Sequence, residues 1–433
     1  MSSTSDTGPD AASAQLPKDR HEWSRRMRVV ALSAGALTVL AVAGGLAVLN
    51  GNDDRADEDP TAATLAGHRG RVEGTVWIAN EGGGSLTAID AATNRIVTTV
   101  AGVEGPHNVQ VSPDGASVWT VSGHDGYAAM LSAESLDLHG VVPTGSAPAH
   151  VVVSPDGATA YTTNGADDTV SVIDTSTMKA TDTIKVGQGP HGLRPSPDGR
   201  WLVVANVADT TLSVIDTRTN QLVTDIDVGK APAQVAFSPD GRFVYASLNG
   251  EDAVAKVDMT SRKLVGTVAV GDGPIQTYVS GDNRYLLVAN QGTEDSPGTT
   301  VSVIDIKTFT VTATVETGQG SHGVVVDPSS QHAYVTNIYG DDVAVLDLQE
   351  LEVVARIPVG DKPNGVSFSP LPNDAEDGSV TLDLPTDPEA PADKIENGHE
   401  DGHRLEAHQL AQLSRSGGPS RTRSTLTLQI QST

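Results

Sequence analysis

Four histidines recur at the start of a short alternating segment: His107 in GPHNVQVSPDG, His150 in APAHVVVSPDG, His191 in GPHGLRPSPDG and His322 in GSHGVVVDPSS. Imidazole nitrogen is a good ligand for Cu, Zn, Ni or Fe and also carries protons near neutral pH. The chain has no cysteine, so disulfides, thiolate metal sites and thiol nucleophiles are excluded. Any metal must be held by His, Asp, Glu or Asn.

The two residues after the Pro or Ser that opens each segment repeat this chemistry. They read His107 with Asn108, Ala149 with His150, His191 with Gly192, Ala233 with Gln234, Ile275 with Gln276, His322 with Gly323, and Asn364 with Gly365. Each pair contributes an imidazole or a carboxamide. The candidate ligand-binding residues are therefore His107, Asn108, His150, His191, Gln234, Gln276, His322 and Asn364; for a metal, Cu or Zn, they are His107, His150, His191 and His322. His150 holds the second position of its pair and the other histidines the first. A regular strand would turn it to the opposite face, so convergence of all four requires a backbone shift at Ala149 and His150. The competing expectation is that these groups line a watery channel and hydrogen-bond the connectors. Acid and base chemistry of a lyase or lactonase type would need a carboxylate beside the histidines, and none recurs in these segments. Asp125, Asp167, Asp168, Asp209, Asp252, Asp341 and Asp342 fall in neighbouring loops, where solvated turn residues are expected.

The elements that position these residues follow from an internal period. Ser112, Ser154, Ser196, Ser238 and Ser280 are 42 residues apart, Asp327 comes 47 after Ser280, and Ser369 another 42 later. Asn80, Ser122, Asn164, Asn206, Leu248, Asn290 and Asn337 keep the same intervals, so there are seven units, and the five extra residues fall within QGTEDSPGTT. Each unit reads as four short antiparallel strands: an alternating run before the PDG turn, a segment such as YTTN, a TVSVID-like strand, and a strand such as TDTIKVG. Trp77, Trp119, Tyr161, Tyr245 and Tyr334 hold one strand position and predict packing between units. Asp90, Asp174, Asp216, Asp258, Asp305 and Asp347 begin turns, where a short carboxylate accepts backbone N–H bonds. The fold expected is all-β, a seven-bladed propeller of four-stranded blades over 75–370. The first unit lacks an inner strand and the chain ends its repeats with an orphan one, GVSFS at 365–369, so the two should pair and close the ring.

YVTN at 334–337, with TVSVID, IKVG and SPDG at fixed offsets, resembles the YVTN-repeat β-propeller family over roughly 75–369. The resemblance implies a bacterial or archaeal cell-surface or periplasmic protein that binds or scaffolds a partner, a protein or small ligand at its top face. The second unit departs from the pattern with VWTVSGHDGYAAMLS.

The remaining segments bear on location. Val29 to Leu49 is 21 uncharged, mostly apolar residues, long enough to cross a bilayer as one N-terminal transmembrane helix. Arg25, Arg26 and Arg28 precede it and acids follow, so the positive-inside rule predicts a single-pass cell-membrane anchor with the propeller outside. Cleavage as a secretory signal is the alternative. The expected organisation is thus a cytoplasmic segment 1–28, the anchor 29–49, a linker 50–74, the propeller, and a low-complexity tail 371–433. The formal charge of −27 repels phosphate backbones, so nucleic acid is not an expected partner. In the tail, His399, Glu400 and His403 fit H-E-x-x-H, but Gly398 and Gly402 oppose the helix that zinc binding by this motif needs. A solvated spacer is expected there, with His399, His403 and His408 as weak metal-capturing groups.

Overall fold

The computed structural model describes residues 72–373, 378–382 and 384. The strands form seven antiparallel sheets arranged as a ring, each contributing its innermost strand to a central channel. Blade 4 is typical: Pro190–Pro195 is innermost, followed outward by Trp201–Asn206, Thr211–Asp216 and Gln221–Asp227. Burial falls off along that order. Trp201–Asn206 is buried at five of its six positions, whereas Gln221–Asp227 exposes five of seven. The β-branched composition serves this arrangement, since both faces of each blade pack flat against neighbouring blades.

The expected closure is present. Pro363–Ser369 pairs antiparallel with Thr75–Asn80, with Thr75 opposite Ser369, and completes blade 1. The ordered chain then continues past the repeat, because Gly378–Thr381 adds a fifth, parallel strand to the outer edge of blade 1 beside Arg95–Ala101. The five-residue insertion in blade 6 extends a hairpin, Tyr285–Thr293 with Ser296–Asp305, rather than forming a separate loop. Among the described residues no helix is long and apolar enough to cross a membrane. The candidate anchor Val29 to Leu49 and the tail motif lie outside the described residues.

The recurring side chains have structural assignments. Trp77, Trp119, Tyr161, Tyr245 and Tyr334 are buried between blades. Asp90, Asp174 and Asp305 accept backbone N–H bonds from Thr93, Thr177 and Thr308 in the expected turns. Ser196 donates to Asp198 and accepts from the Trp201 amide, and the same clamp recurs at Ser112, Ser154, Ser238 and Ser280. The asparagine marker ties the second strand to the third: Asn206 Nδ2 donates to Thr211 Oγ1 and Ser213 Oγ, both at 3.0 Å. Asn80, Asn164 and Asn290 do likewise. Gly187, on the connector facing Asn206, has no room for a Cβ beside that amide. In blade 2, where Ser122 replaces the asparagine, its hydroxyl bonds the Glu104 carbonyl instead. Asn206→Ala should therefore lower stability by about 1–3 kcal/mol, because the buried Ser213 and partly buried Thr211 hydroxyls each lose a hydrogen bond; the shift in urea midpoint measures it.

Candidate functional site

The inner strand of every blade carries the same irregularity just past its first residue. In blade 3, Pro148 pairs with Asn164 and Val151 with Thr162, so Ala149 and His150 together oppose one residue, Thr163. Equivalent shifts follow Pro106, Pro190, Pro232, Pro274, Ser321 and Pro363. A two-against-one bulge breaks the alternation of a strand and re-aims side chains. That is the backbone shift the histidine pattern required, and it lets His150 join histidines that occupy the other position. Where the first residue is His191 or His322, the second is Gly192 or Gly323, whose missing Cβ leaves space for the Ala233 and Asn364 carbonyls of the next blade.

Three of the four histidines meet. His107, His150 and His191 each offer a ring nitrogen such that all three lie within 4.8 Å of one another. The ring centroids of His150 and His191 are 4.7 Å apart, and those of His107 and His191 5.3 Å. His322 stands beside the trio, 6.4 Å from His107 by centroids, with Nδ1 buried and without a partner. His107, His150 and His322 are 4, 0 and 3% exposed, so these imidazoles are packed within the site, with His191 partly accessible.

Hydrogen bonding constrains the protons. Glu81 Oε1 lies 3.3 Å from His107 Nδ1, and the Ala233 carbonyl oxygen lies 3.0 Å from His191 Nδ1. An ionised carboxylate and a carbonyl only accept, so a hydrogen on each Nδ1 satisfies both contacts. With that tautomer a neutral ring turns a lone pair, at Nε2, toward the other, and the two Nε2 atoms are 3.3 Å apart. Facing lone pairs at that distance need a positive centre between them, a shared proton or a metal ion. Asn364 Nδ2 donates to Glu81 Oε2 at 2.7 Å and approaches His107 Nδ1 to 3.1 Å, which favours the tautomer with the hydrogen on Nε2. The proton-bridged pair uses that second tautomer, whereas a bound cation needs the first.

Burial sets the charge states. It pushes His191 down to about 4 and His322 to about 3, and the neighbouring His107 ring adds to both effects. His150 is lowered well below the ordinary imidazole value by burial and then by His191 and His107. These rings are neutral at pH 7, as metal ligands must be. For Glu81, burial pushes the carboxyl up, but the His107 ring and the Asn364 amide outweigh it and hold it at about 2. Glu81 is therefore an anionic anchor near neutral pH rather than a carrier of protons, which disfavours acid and base catalysis here.

The other expected residues divide. Asn364 belongs to the cluster through Glu81 and His107. Gln234 Nε2 is 3.4 Å from His150 Nδ1, while its Oε1 accepts from the Val235 amide. Asn108 is structural, since its Oδ1 accepts from the Val151 amide of the next blade at 3.2 Å. Gln276 is buried with Nε2 unpartnered. The loop acids Asp167, Asp168, Asp252 and Asp341 bind backbone amides of neighbouring connectors, at Ser146, Gly189, Gly273 and Lys362. Glu81 is the residue that reading by repeats passed over, because it stands in the loop after Asn80 and not in a mouth segment. Its signal was its uniqueness: the equivalent residues are Gly123, Gly165, Val207, Asn249, Gln291 and Ile338.

Comparison with known proteins agrees with this architecture. No curated protein sequence matches the chain. Among solved structures, the chain is similar to the hydrazine synthase of Kuenenia stuttgartiensis, at 25% identity and TM-score 0.56 over 61% of this chain and 90% of that one. It is also similar to a functionally unknown protein from Desulfotomaculum acetoxidans DSM 771, at 15% identity and TM-score 0.62 over 70% of this chain and 100% of that one. A dihydro-heme d1 dehydrogenase in complex with DHE shares 16% identity and TM-score 0.52 over 71% of this chain and 78% of its own. Those last two likenesses concern the fold alone. The YNCE-like beta-propeller family matches residues 139–375, more than half of the chain. With seven four-stranded blades and the repeat markers in place, the chain belongs to the YNCE-like beta-propeller family.

Proposed function

We propose that the propeller is a metal-binding module that holds one transition-metal ion on His107, His150 and His191. The observation that carries this reading is the 3.3 Å approach of the His107 and His191 Nε2 atoms, with an acceptor beside each Nδ1, Glu81 Oε1 and the Ala233 carbonyl, and the Asn364 amide also beside His107 Nδ1. Tetrahedral ligation with metal to nitrogen distances near 2.0–2.1 Å places donors about 3.4 Å apart, so His107 and His191 already stand at ligand spacing. The nitrogen contributed by His150, within 4.8 Å of the other two, would need to move by up to about 1.4 Å to complete the set, and its Nε2 has no competing partner to release. Three imidazole ligands without thiolate suit Cu²⁺ and Zn²⁺, with copper bound more tightly. Glu81 supplies the outer carboxylate that fixes a ligand's tautomer and raises its basicity.

The test uses full-length protein in which His399, His403 and His408 are replaced by alanine, so that tail capture is not counted. Stripped with chelator and dialysed against Cu²⁺ or Zn²⁺, it should retain one equivalent by elemental analysis. His107→Ala, His150→Ala and His191→Ala should each retain less than a tenth of an equivalent, while His322→Ala keeps the metal. An unloaded parent protein, or equal loading of all variants, refutes the proposal. Glu81→Gln should bind metal about 10–100-fold more weakly while folding normally, read by competition with a chromogenic chelator. The anchor expected at Val29 to Leu49 would expose this site outside the cytoplasm. Intact mass of the membrane-fraction protein distinguishes a retained anchor from a cleaved signal.

A further inference from the structure

Deeper in the channel lies a second group of unusual chemistry. Arg194 follows His191 by three residues on the inner strand of blade 4, about 10 Å farther along at 3.3 Å per residue. The equivalent positions in the other blades are Gln110, Val152, Ala236, Tyr278, Val325 and Ser367. Val152, Ala236, Val325 and Ser367 are buried; Gln110, Arg194 and Tyr278 each keep part of their surface accessible. Gln110 and Tyr278 stand two blades away from Arg194 on either side, at the same strand position on the inner strands. Arg194 Nη1 donates to Gln110 Oε1 at 3.4 Å, and the ionisations of Arg194 and Tyr278 sense each other.

A guanidinium presents five N–H donors in a planar fork that fits carboxylate and phosphate oxygens two at a time. Arg194 uses one nitrogen, at the long distances of 3.4 Å to Gln110 Oε1 and 3.5 Å to the Leu193 carbonyl. None of the ion pairs among the described residues involves it. A cation so enclosed without a counter-ion is costly, and charged side chains in protein interiors are normally paired. Gln110 is itself oriented by Nε2 donation to the Val111 carbonyl at 2.9 Å, so its Oε1 props the guanidinium in place. The Tyr278 hydroxyl makes no hydrogen bond within the described residues and supplies another donor.

We propose that a small oxyanion, a carboxylate or a phosphate, binds inside the channel on the Arg194 guanidinium with the Tyr278 hydroxyl beside it. The site stands apart from the histidine cluster and does not depend on metal binding. Full-length protein should bind inorganic phosphate or acetate at one saturable site by calorimetry at constant ionic strength, and its melting temperature should rise with that ligand. Arg194→Met should weaken binding at least tenfold and abolish the thermal response, yet melt like the parent in buffer free of oxyanions. Tyr278→Phe should weaken binding severalfold, and His191→Ala should leave it unchanged even where metal is lost. The proposal is overturned if neither ligand saturates the parent, if Arg194→Met binds as well as the parent, or if Arg194→Met melts far below it without ligand, which would make the arginine a structural post.

Discussion

A chain ending after Lys362 should fail to melt cooperatively, whereas one ending after Asn373 should fold. The first truncation removes Pro363–Ser369, the inner strand of blade 1, which is buried at six of seven positions. Burying Val366 contributes roughly 1.5–3 kcal/mol, and the partly buried Phe368, packed beside Tyr334, adds to it. Removal also leaves the Thr75–Asn80 edge unpaired toward the channel and takes Asn364 from Glu81. Such losses are comparable with the entire net stability of a typical domain, about 5–15 kcal/mol. The second truncation keeps the ring, the Thr75 hydrogen bond to the Leu371 carbonyl and the Asn373 bond to Ala133. Among the described residues it loses Gly378–Thr381, exposed at all four positions, with the buried Leu382 and partly buried Leu384 that pack on blade 1, and should lower the melting temperature by several degrees without abolishing cooperativity. Circular-dichroism melts of the two chains decide the matter, and coincident cooperative melts would show that ring closure contributes nothing.

Acid should unfold the metal-free protein earlier than its carboxylates alone would require. His150, His191 and His322 are all lowered by burial, His191 to about 4 and His322 to about 3, against an ordinary value of 6.5. A base whose folded value is depressed protonates first in the unfolded chain. Its contribution is therefore intact above pH 6.5 and falls as pH drops toward the folded value. Each such histidine gives a slope of about 1.4 kcal/mol per pH unit, so three together give about 4 kcal/mol per unit near pH 5. Glu81, held at about 2 from 4.5, adds a further loss as pH falls through that lower window. The sign is diagnostic, because relief of self-repulsion in a chain of charge −27 would make mild acid stabilising. Urea midpoints at pH 7.5, 6 and 5 in the presence of chelator should fall steeply, and His322→Gln should flatten the profile by about a third. A level profile across this range would sink the argument.

The number of blades and the closure were legible because the Asn80-type marker has one job in most units, tying two strands through its amide, so it recurs at fixed spacing. The turn acids and interblade aromatics were legible for the same reason. The histidine cluster was half legible. Its members could be named, and the bulge needed to gather His150 with His107 and His191 could be stated, but only the pairing register establishes that shift in every blade. His322, equivalent in sequence to His107 and His191, falls outside the trio because position around the ring, not residue type, decides which side chains meet. Glu81 was not legible: its partners His107 and Asn364 are 26 and 283 residues away along the chain. Gly378–Thr381 escaped notice because a four-residue exposed strand carries no period and little hydrophobic signal.

The pairing of Thr75 with Ser369 places the first and last residues of the ring side by side. Tension applied between the two ends would thus peel this seam open one rung at a time, the weakest geometry for a sheet under load. The short parallel strand on the outside of the same blade lies between the far end and that seam, and must tear away before the pull reaches it. Under such a load the outer strand would give way before the circle opened.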